Sequence, residues 1–263
     1  METGITQLSL IPVRSTTSEH SEQVTQLLFG EQFEVLKKCG SWLYIRSFID
    51  DYEGWINKNM AGNLSDSTHA NNSTHANKRK EMIVPAVIAH ATDDKGRPMY
   101  IPGGVRIPVP DENNRFTLGD RTYTLDPLPD VHITLEEIAG QFLNAPYLWG
   151  GKTVFGIDCS AFVQIVFRML GNILPRDASQ QAIEGETICF RHDALPGDVA
   201  FFEDNNGKII HTGIILNEKH IIHASGSVRI DLLDHSGIYN TDTGRYSHNL
   251  SVIKRFFTDI KTS

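Results

Sequence analysis

Between Ile5 and Ile56 the apolar residues come in short runs, QLSLIPVR, FEVLKKCG, SWLYIRSF and GWI, each bounded by turn-forming residues. Runs of this length and spacing predict short strands, and so a small all-β barrel or sandwich over residues 1–62. Residues 63–81 hold a near-tandem STHAN-N-STHAN and a Lys-Arg-Lys triplet with almost nothing apolar, which predicts a linker or long loop. Strand signals return in MIVPAVIAHAT, MYIPGGVRIPVP and RFTLGDRTYTL. Their prolines and glycines confine them to short or edge strands, a second small all-β module over residues 82–128.

The pattern changes after Pro129. Thr134 and Glu137 form a capping box, and Leu135, Ile138 and Phe142 follow at helical spacing, predicting a helix that Pro146 stops. Asp158 stands at an N-cap position before CSAFVQIVFRML, whose Phe162, Val163, Val166 and Leu170 share one face before Gly171 ends the helix. After the Leu195-Pro196-Gly197-Asp198 turn come four strand-like segments, DVAFFE, KIIHTGIIL, KHIIHAS and LSVIKRFF. Helices followed by an antiparallel sheet make residues 129–263 an α+β domain.

Composition narrows the function classes. The chain of 263 residues is 40% hydrophobic and 21% charged, enough to bury a core. Its 24 Lys and Arg against 32 Asp and Glu give a net charge of −8, which speaks against a nucleic-acid partner. No apolar run is long enough to span a membrane, and the first thirty residues lack the pattern of a leader. The expected location is the cytoplasm, or the envelope or periplasm if a native leader precedes this chain. Three cysteines, Cys39, Cys159 and Cys189, are an odd number at unrelated spacings, which fits neither a disulfide framework nor a zinc knuckle. His69 and His75 of the STHAN repeat could hold a metal only weakly.

Cys159 alone has a setting that suggests chemistry. A thiol in the first turn of a helix sits near the positive end of the helix dipole and beside free backbone N–H groups, so its pKa is expected to fall. A buried core cysteine is the alternative; Cys39 and Cys189 have no comparable setting and are read as packing residues. A nucleophilic thiol needs a base, and the base needs a partner that fixes its tautomer. By the period of two, His211 shares a face with Ile209 and Gly213, and His223 with Ile221 and Ser225. If KIIHTGIIL and KHIIHAS form a hairpin centred on residue 217, opposed residues sum to 434 and His211 lies directly across from His223, Cβ atoms roughly 5 Å apart. Two half-exposed histidines on a solvent face, or a metal held by Cys159, His211 and His223, remain alternatives at this level.

Three stretches in order, Tyr147-Leu148-Trp149-Gly150-Gly151, Phe155-Gly156-Ile157-Asp158-Cys159-Ser160 and Leu174-Pro175-Arg176-Asp177-Ala178-Ser179-Gln180-Gln181, closely resemble the NlpC/p60 family of papain-like cysteine peptidases. Leu195-Pro196-Gly197-Asp198, His211 and His223 continue the match, which covers roughly residues 130–258. The resemblance implies a Cys-His-His triad with Cys159 as nucleophile, His211 as general base and acid, and His223 orienting it. Tyr147 would stand near the oxyanion site with the Cys159 backbone N–H; aromatic core packing is the other role open to Tyr147 and Trp149. The upstream β modules resemble the bacterial SH3-like domains of one branch of the family. That branch cleaves murein peptides between γ-D-glutamate and the diamino acid and requires a free N-terminal L-alanine. The branch implies Glu53 and Asp177 at the substrate ammonium and Ser160 near the D-glutamate carboxylate, with Trp149, Asp158 and Tyr100 also lining the substrate. Ala178 stands where a second serine is common. No metal or organic cofactor is implied, and the expected partner is the murein peptide itself. A wall-peptide binding module, or an acyltransferase or amidase on the same thiol fold, is the alternative function.

Overall fold

Short alternating runs build the first part of the chain almost entirely from strands. The computed structural model describes residues 1–62, 64–66, 80–129 and 134–257; the STHAN repeat, with His69 and His75, lies outside the described residues. The chain divides into two compact units, residues 1–132 with 149–154 and 168–173, and residues 133–148 with 155–167 and 174–263.

In the first unit, β1 (Glu2–Ile5), β2 (Leu10–Arg14), β3 (Gln23–Leu28), β4 (Gln32–Cys39), β5 (Trp42–Ser47), β6 (Glu53–Asn57) and β7 (Ser65–Asp66) form one antiparallel sheet in the order β3-β2-β6-β5-β4-β1-β7. β2 and β6 bury every second residue, as a strand with one face on a core must. Ile11, Val13, Leu27, Phe33, Leu43, Ile45 and Ile56 make that core. β3 was not expected, because Gln23, Thr25 and Gln26 read as polar; Thr25 and Gln26 are nevertheless buried, and the Gln26 side-chain oxygen accepts the backbone N–H of Lys152 at 2.9 Å. β7 pairs with β1, so the predicted linker begins with a strand.

The second group of strands is β8 (Glu81–Ile83), β9 (Ile88–Asp93), β10 (Pro98–Pro102), β11 (Arg106–Pro108), β12 (Arg115–Leu118) and β13 (Arg121–Leu125). They form a four-stranded sheet, β10-β9-β13-β12, and a separate β11-β8 pair. Phe29 packs edge-on against Phe116 and Tyr123, so the two groups share apolar contacts within one unit.

In the second unit the capping box at Thr134 and Glu137 starts α1 (Leu135–Gly140) as expected, both of its hydrogen bonds being made. The helix stops well short of Pro146, because tight turns take over at Phe142 and Leu143 and Asn144 turns left-handed with φ 67°. Phe142 still reaches the core, edge-on to Phe162 at 5.8 Å. β15 (Gly156–Ile157), after β14 (Lys152–Thr153) of the first unit, precedes α2 (Cys159–Met169), whose last two residues count with the first unit; the helix is buried all round rather than along one face. Its polar residues are therefore paired: Gln164 donates to the Leu174 carbonyl at 2.9 Å. After α3 (Ala178–Gln181) come β16 (Glu186–Ile188), β17 (Val199–Glu203), β18 (Ile209–Ile215), β19 (His220–Ser225), β20 (Ser227–Leu233), β21 (Gly237–Asn240) and β22 (Arg245–Arg255). The expected antiparallel sheet is in fact a closed ring: β22, eleven residues long, pairs with both β17 and β21, completing a six-stranded barrel with β16 attached outside it. Ala200, Phe202, Ile215, Ile221, Leu233, Ile238 and Ile253 cluster as its core.

The first unit also buries charge. Glu31 accepts from Arg168 and from the Leu28 backbone N–H, and Lys152 Nζ lies 3.5 Å from it; all three side chains are at most 4% exposed. Removing one partner of a buried ion pair leaves the other charge unpaired, so Arg168→Ala is expected to lower stability by about 3–5 kcal/mol in urea unfolding. An unchanged midpoint would show that Lys152 alone compensates Glu31.

Candidate active site

The start of α2 is pinned by a buried polar network. Asp158 Oδ1 accepts the backbone N–H of Ala161 at 2.8 Å, the N-cap bond expected of it. The same carboxylate takes a two-pronged contact from the buried Arg176 guanidinium, whose Nη1 also donates to Ser160 Oγ at 2.9 Å. Gln181 closes the network by donating to the carbonyls of Ser160 and Pro175. Asp158 and Ser160, both expected at the substrate, are thus held within the protein by Arg176.

Cys159 is buried, and its thiol meets the backbone N–H groups of Thr212 and Ser160. Burial and the Asp158 charge push the thiol up to about 12, while those amides and Arg176 pull the other way. This corrects the expectation of a lowered pKa: desolvation at this helix start outweighs the dipole. Cys159 is therefore a thiol at neutral pH, and a nucleophilic role would need a base.

Thr212 follows His211 in β18. The hairpin register is shifted from the predicted one, with Gly213 rather than His211 opposite His223, so opposed residues sum to 436. A shift of two residues keeps both histidines on one face. They meet along the diagonal, His211 Nε2 and His223 Nδ1 being 2.8 Å apart. Gly213 allows this, since a Cβ there would lie 2.7 Å from the His223 Cβ. Two nitrogens spent on one another do not point at a common ion, which disfavours the Cys159, His211 and His223 metal alternative.

Two neighbours escaped the sequence reading. Asp231 Oδ2 lies 3.0 Å from His223 Nε2 and is also held by Arg229, whose Nε and Nη2 donate to its two oxygens at 2.8 and 2.9 Å. Burial raises the Asp231 carboxyl, but the bonds from His223 and Arg229 outweigh it and hold the group below the ordinary aspartate range. The Ser225-Gly226-Ser227 turn was the available signal: pairing about Gly226 puts Asp231 opposite Ile221, again one diagonal step from His223. His248 of β22 stacks on the His211 ring, centroids 3.9 Å apart and planes 20° apart. Burial, with repulsion from His248 and His223, holds His211 well below the usual imidazole value.

The half-buried Tyr147 is placed by its backbone N–H, which donates to the Gly226 carbonyl, and by a parallel bridge to Ile157. Burial, then the Cys159 and Asp158 charges, push its hydroxyl up to about 12. Asp177 immediately precedes α3, and the half-buried Ala178 opens it. The second unit thus holds Tyr147, Asp158, Cys159, Ser160, Asp177, Ala178, His211 and His223.

Glu53, Tyr100 and Trp149 belong to the first unit. Glu53 accepts from Arg46 Nε and Nη2 at 2.9 and 2.7 Å; this contact, with the Tyr44 hydroxyl, lowers its pKa. Core packing does not hold for Trp149, which is 59% exposed and donates from its indole to Glu22 at 2.7 Å. Tyr100 is exposed and stands edge-on to His90.

With that geometry in place, residues 144–246 match the NlpC/P60 family, and residues 13–59 match the bacterial dipeptidyl-peptidase SH3 domain. This chain carries an NlpC/P60 domain and a bacterial SH3 domain. It is 28% identical over 220 residues to a gamma-D-glutamyl-L-lysine dipeptidyl-peptidase of Bacillus subtilis (strain 168), covering 76% of this chain and 71% of that one. A protein of the same name from Bacillus cereus (strain ATCC 10987 / NRS 248) is 25% identical over 236 residues, covering 78% and 68%. The crystal structure of an NlpC/P60 family protein from Bacillus cereus ATCC 10987 superposes with a TM-score of 0.78 at 19% identity, covering 97% of this chain and 99% of that one, a likeness of fold. Cys159, His211 and His223 all fall inside the NlpC/P60 match, as does Asp231.

The buried His211 and the half-buried His248 make stability depend on pH. Burial and repulsion from His223 hold His248 at about 4 despite the Asp231 charge, and His211 is depressed as well. Between those values and the unfolded value near 6.5 the unfolded chain binds more protons. The stabilisation is complete above about pH 6.5 and is lost as pH falls toward the folded-state values. Urea midpoints are expected to drop between about pH 7 and pH 5, with a shallower drop in His248→Phe. Equal slopes in the two proteins would contradict the His248 contribution.

Proposed function

We propose that this chain is a cysteine peptidase that hydrolyses the bond between γ-D-glutamate and the diamino acid of murein peptides bearing a free N-terminal L-alanine. The observation that carries the reading is the thiol of Cys159 seated against the Thr212 amide beside His211, which is itself bonded to His223. Relatives named gamma-D-glutamyl-L-lysine dipeptidyl-peptidase, matched over about three quarters of this chain, support the substrate class.

In this reading His211 takes the thiol proton, and Cys159 Sγ attacks the carbonyl carbon of the γ-D-glutamyl amide. The Cys159 backbone N–H and the Tyr147 hydroxyl, which its raised pKa keeps protonated, stabilise the oxyanion. His211 passes the proton to the departing amine of the diamino acid, leaving a thioester. Water, deprotonated by His211, then releases L-Ala-γ-D-Glu and restores the thiol.

Glu53 and Asp177 are the proposed partners of the substrate ammonium. Ser160, Asp158, Trp149 and Tyr100 are the proposed further lining of the substrate site, and Ala178 removes one hydrogen bond to the D-glutamate carboxylate. Because Glu53 is already paired with Arg46, an incoming ammonium would share or displace that guanidinium. Residues 82–128 are read as a second SH3-like module, residues 129–263 as the catalytic domain, and the role as recycling of wall peptides in the cytoplasm.

The test is mass spectrometry of L-Ala-γ-D-Glu-meso-diaminopimelate, its L-lysine counterpart and their N-acetylated forms, incubated with wild type, Cys159→Ala and Glu53→Gln. Only the free-amine peptides should be cleaved, Cys159→Ala should be inactive, and Glu53→Gln should raise KM. Equal cleavage of acetylated peptide would remove the ammonium pocket. No cleavage at all would favour another acyl substrate or a binding role.

A further inference from the structure

Three polar side chains line one diagonal across neighbouring strands of the barrel. His211, His223 and Asp231 share their faces with Ile215, Ile221 and Leu233, which belong to the barrel core. The Asp231 side chain is wholly buried and that of His223 is 1% exposed. Burying two imidazoles and a carboxylate among apolar residues is costly unless every proton has a partner.

The proton inventory allows one arrangement for two neutral rings. An ionised Asp231 can only accept, so His223 Nε2 carries a hydrogen toward it. His223 Nδ1 is then bare and can only accept across the 2.8 Å contact, so His211 Nε2 carries a hydrogen. His211 Nδ1 is left unprotonated. Arg229, the register partner of His223, bonds both oxygens of Asp231 and also Asp242, which spreads the carboxylate charge.

We propose that Asp231 is a fourth, positioning member of the site: by accepting from His223 Nε2 it sets the order of protons along both imidazoles, so that His211 presents a bare nitrogen to the Cys159 thiol. The inference rests on the reading of Cys159 as nucleophile. When His211 takes the thiol proton it becomes an imidazolium, and the Asp231 charge stabilises it through His223. Among the described residues, the other titratable or charged groups facing this chain are His248 on the His211 ring, Arg229 and Asp242 beyond Asp231, and Tyr147, Asp158 and Arg176 around the thiol.

The experiment compares wild type, Asp231→Asn, Asp231→Ala, Asp231→Glu and Cys159→Ala. Two readouts are taken against pH: kcat and KM on L-Ala-γ-D-Glu-L-Lys, and the rate of Cys159 alkylation by iodoacetamide. Peptide mapping separates Cys159 from the exposed Cys39 and Cys189. Asp231→Asn and Asp231→Ala should lower kcat by roughly 10²–10⁴-fold, the scale of a wrong tautomer, with KM within about 3-fold. The acid limb of both profiles should move down by roughly one pH unit, because losing a nearby negative charge favours the neutral imidazole. Asp231→Glu should recover part of the rate. A kcat within about 3-fold of wild type, or a lower kcat with an unmoved acid limb in both profiles, would reduce Asp231 to a structural role. If Asp231→Ala fails to fold, the isosteric Asp231→Asn decides alone.

The two readings fail separately. Cleavage that survives Cys159→Ala removes Cys159 as nucleophile. An acid limb unmoved in both profiles of Asp231→Asn, with Cys159→Ala inactive, removes only the role of Asp231. If no peptide is cleaved but the alkylation profile shifts, the substrate falls and the positioning role stands.

Discussion

The hydrogen bond between His211 and His223 is the constraint around which the second unit is organised. It places two imidazoles inside a closed barrel, where neither can be left without a partner. Gly213 gives up its side chain so that the rings can meet, Asp231 takes the far nitrogen, Arg229 holds Asp231, and His248 covers the open face of His211. Closure of the barrel by β22 is what brings His248 to that position.

A second buried network does the corresponding work for the thiol. Arg176 clamps the Asp158 carboxylate that caps α2, and Gln181 ties the same turn to the segment ahead of α3. The helix start is thereby fixed against β18, and the thiol meets the Thr212 amide. Burial keeps both partners neutral, pushing the thiol up and His211 down. In the proposed reading such a site is quiet until a substrate carbonyl arrives, because the charge-separated pair has nothing to stabilise it beforehand.

Much of this was legible in the sequence because it depends on short-range rules. The period of two put both histidines on a common face even though the assumed turn centre was one residue off, since an error of two in register preserves the face. The N-cap at Asp158 and the capping box at Thr134 are local chemistry and were read directly. What escaped depends on long-range closure or burial. His248 joins the site only through the barrel, Asp231 through a second hairpin, and β3 hides Thr25 and Gln26 in the interior. The expected acidic thiol failed for the same reason: the helix dipole can be inferred from the chain, whereas the burial of Cys159 follows from the packed fold.

The most direct measurement is long-range ¹H–¹⁵N NMR of the histidine rings in uniformly ¹⁵N-labelled protein at neutral pH, assigned with single histidine variants. The expected result is a neutral His211 with its hydrogen on Nε2 and a bare Nδ1, beside a His223 that carries a hydrogen on Nε2. A hydrogen on His211 Nδ1, in either a neutral or a charged ring, would leave Cys159 without its base and contradict the proton order on which the proposed chemistry depends.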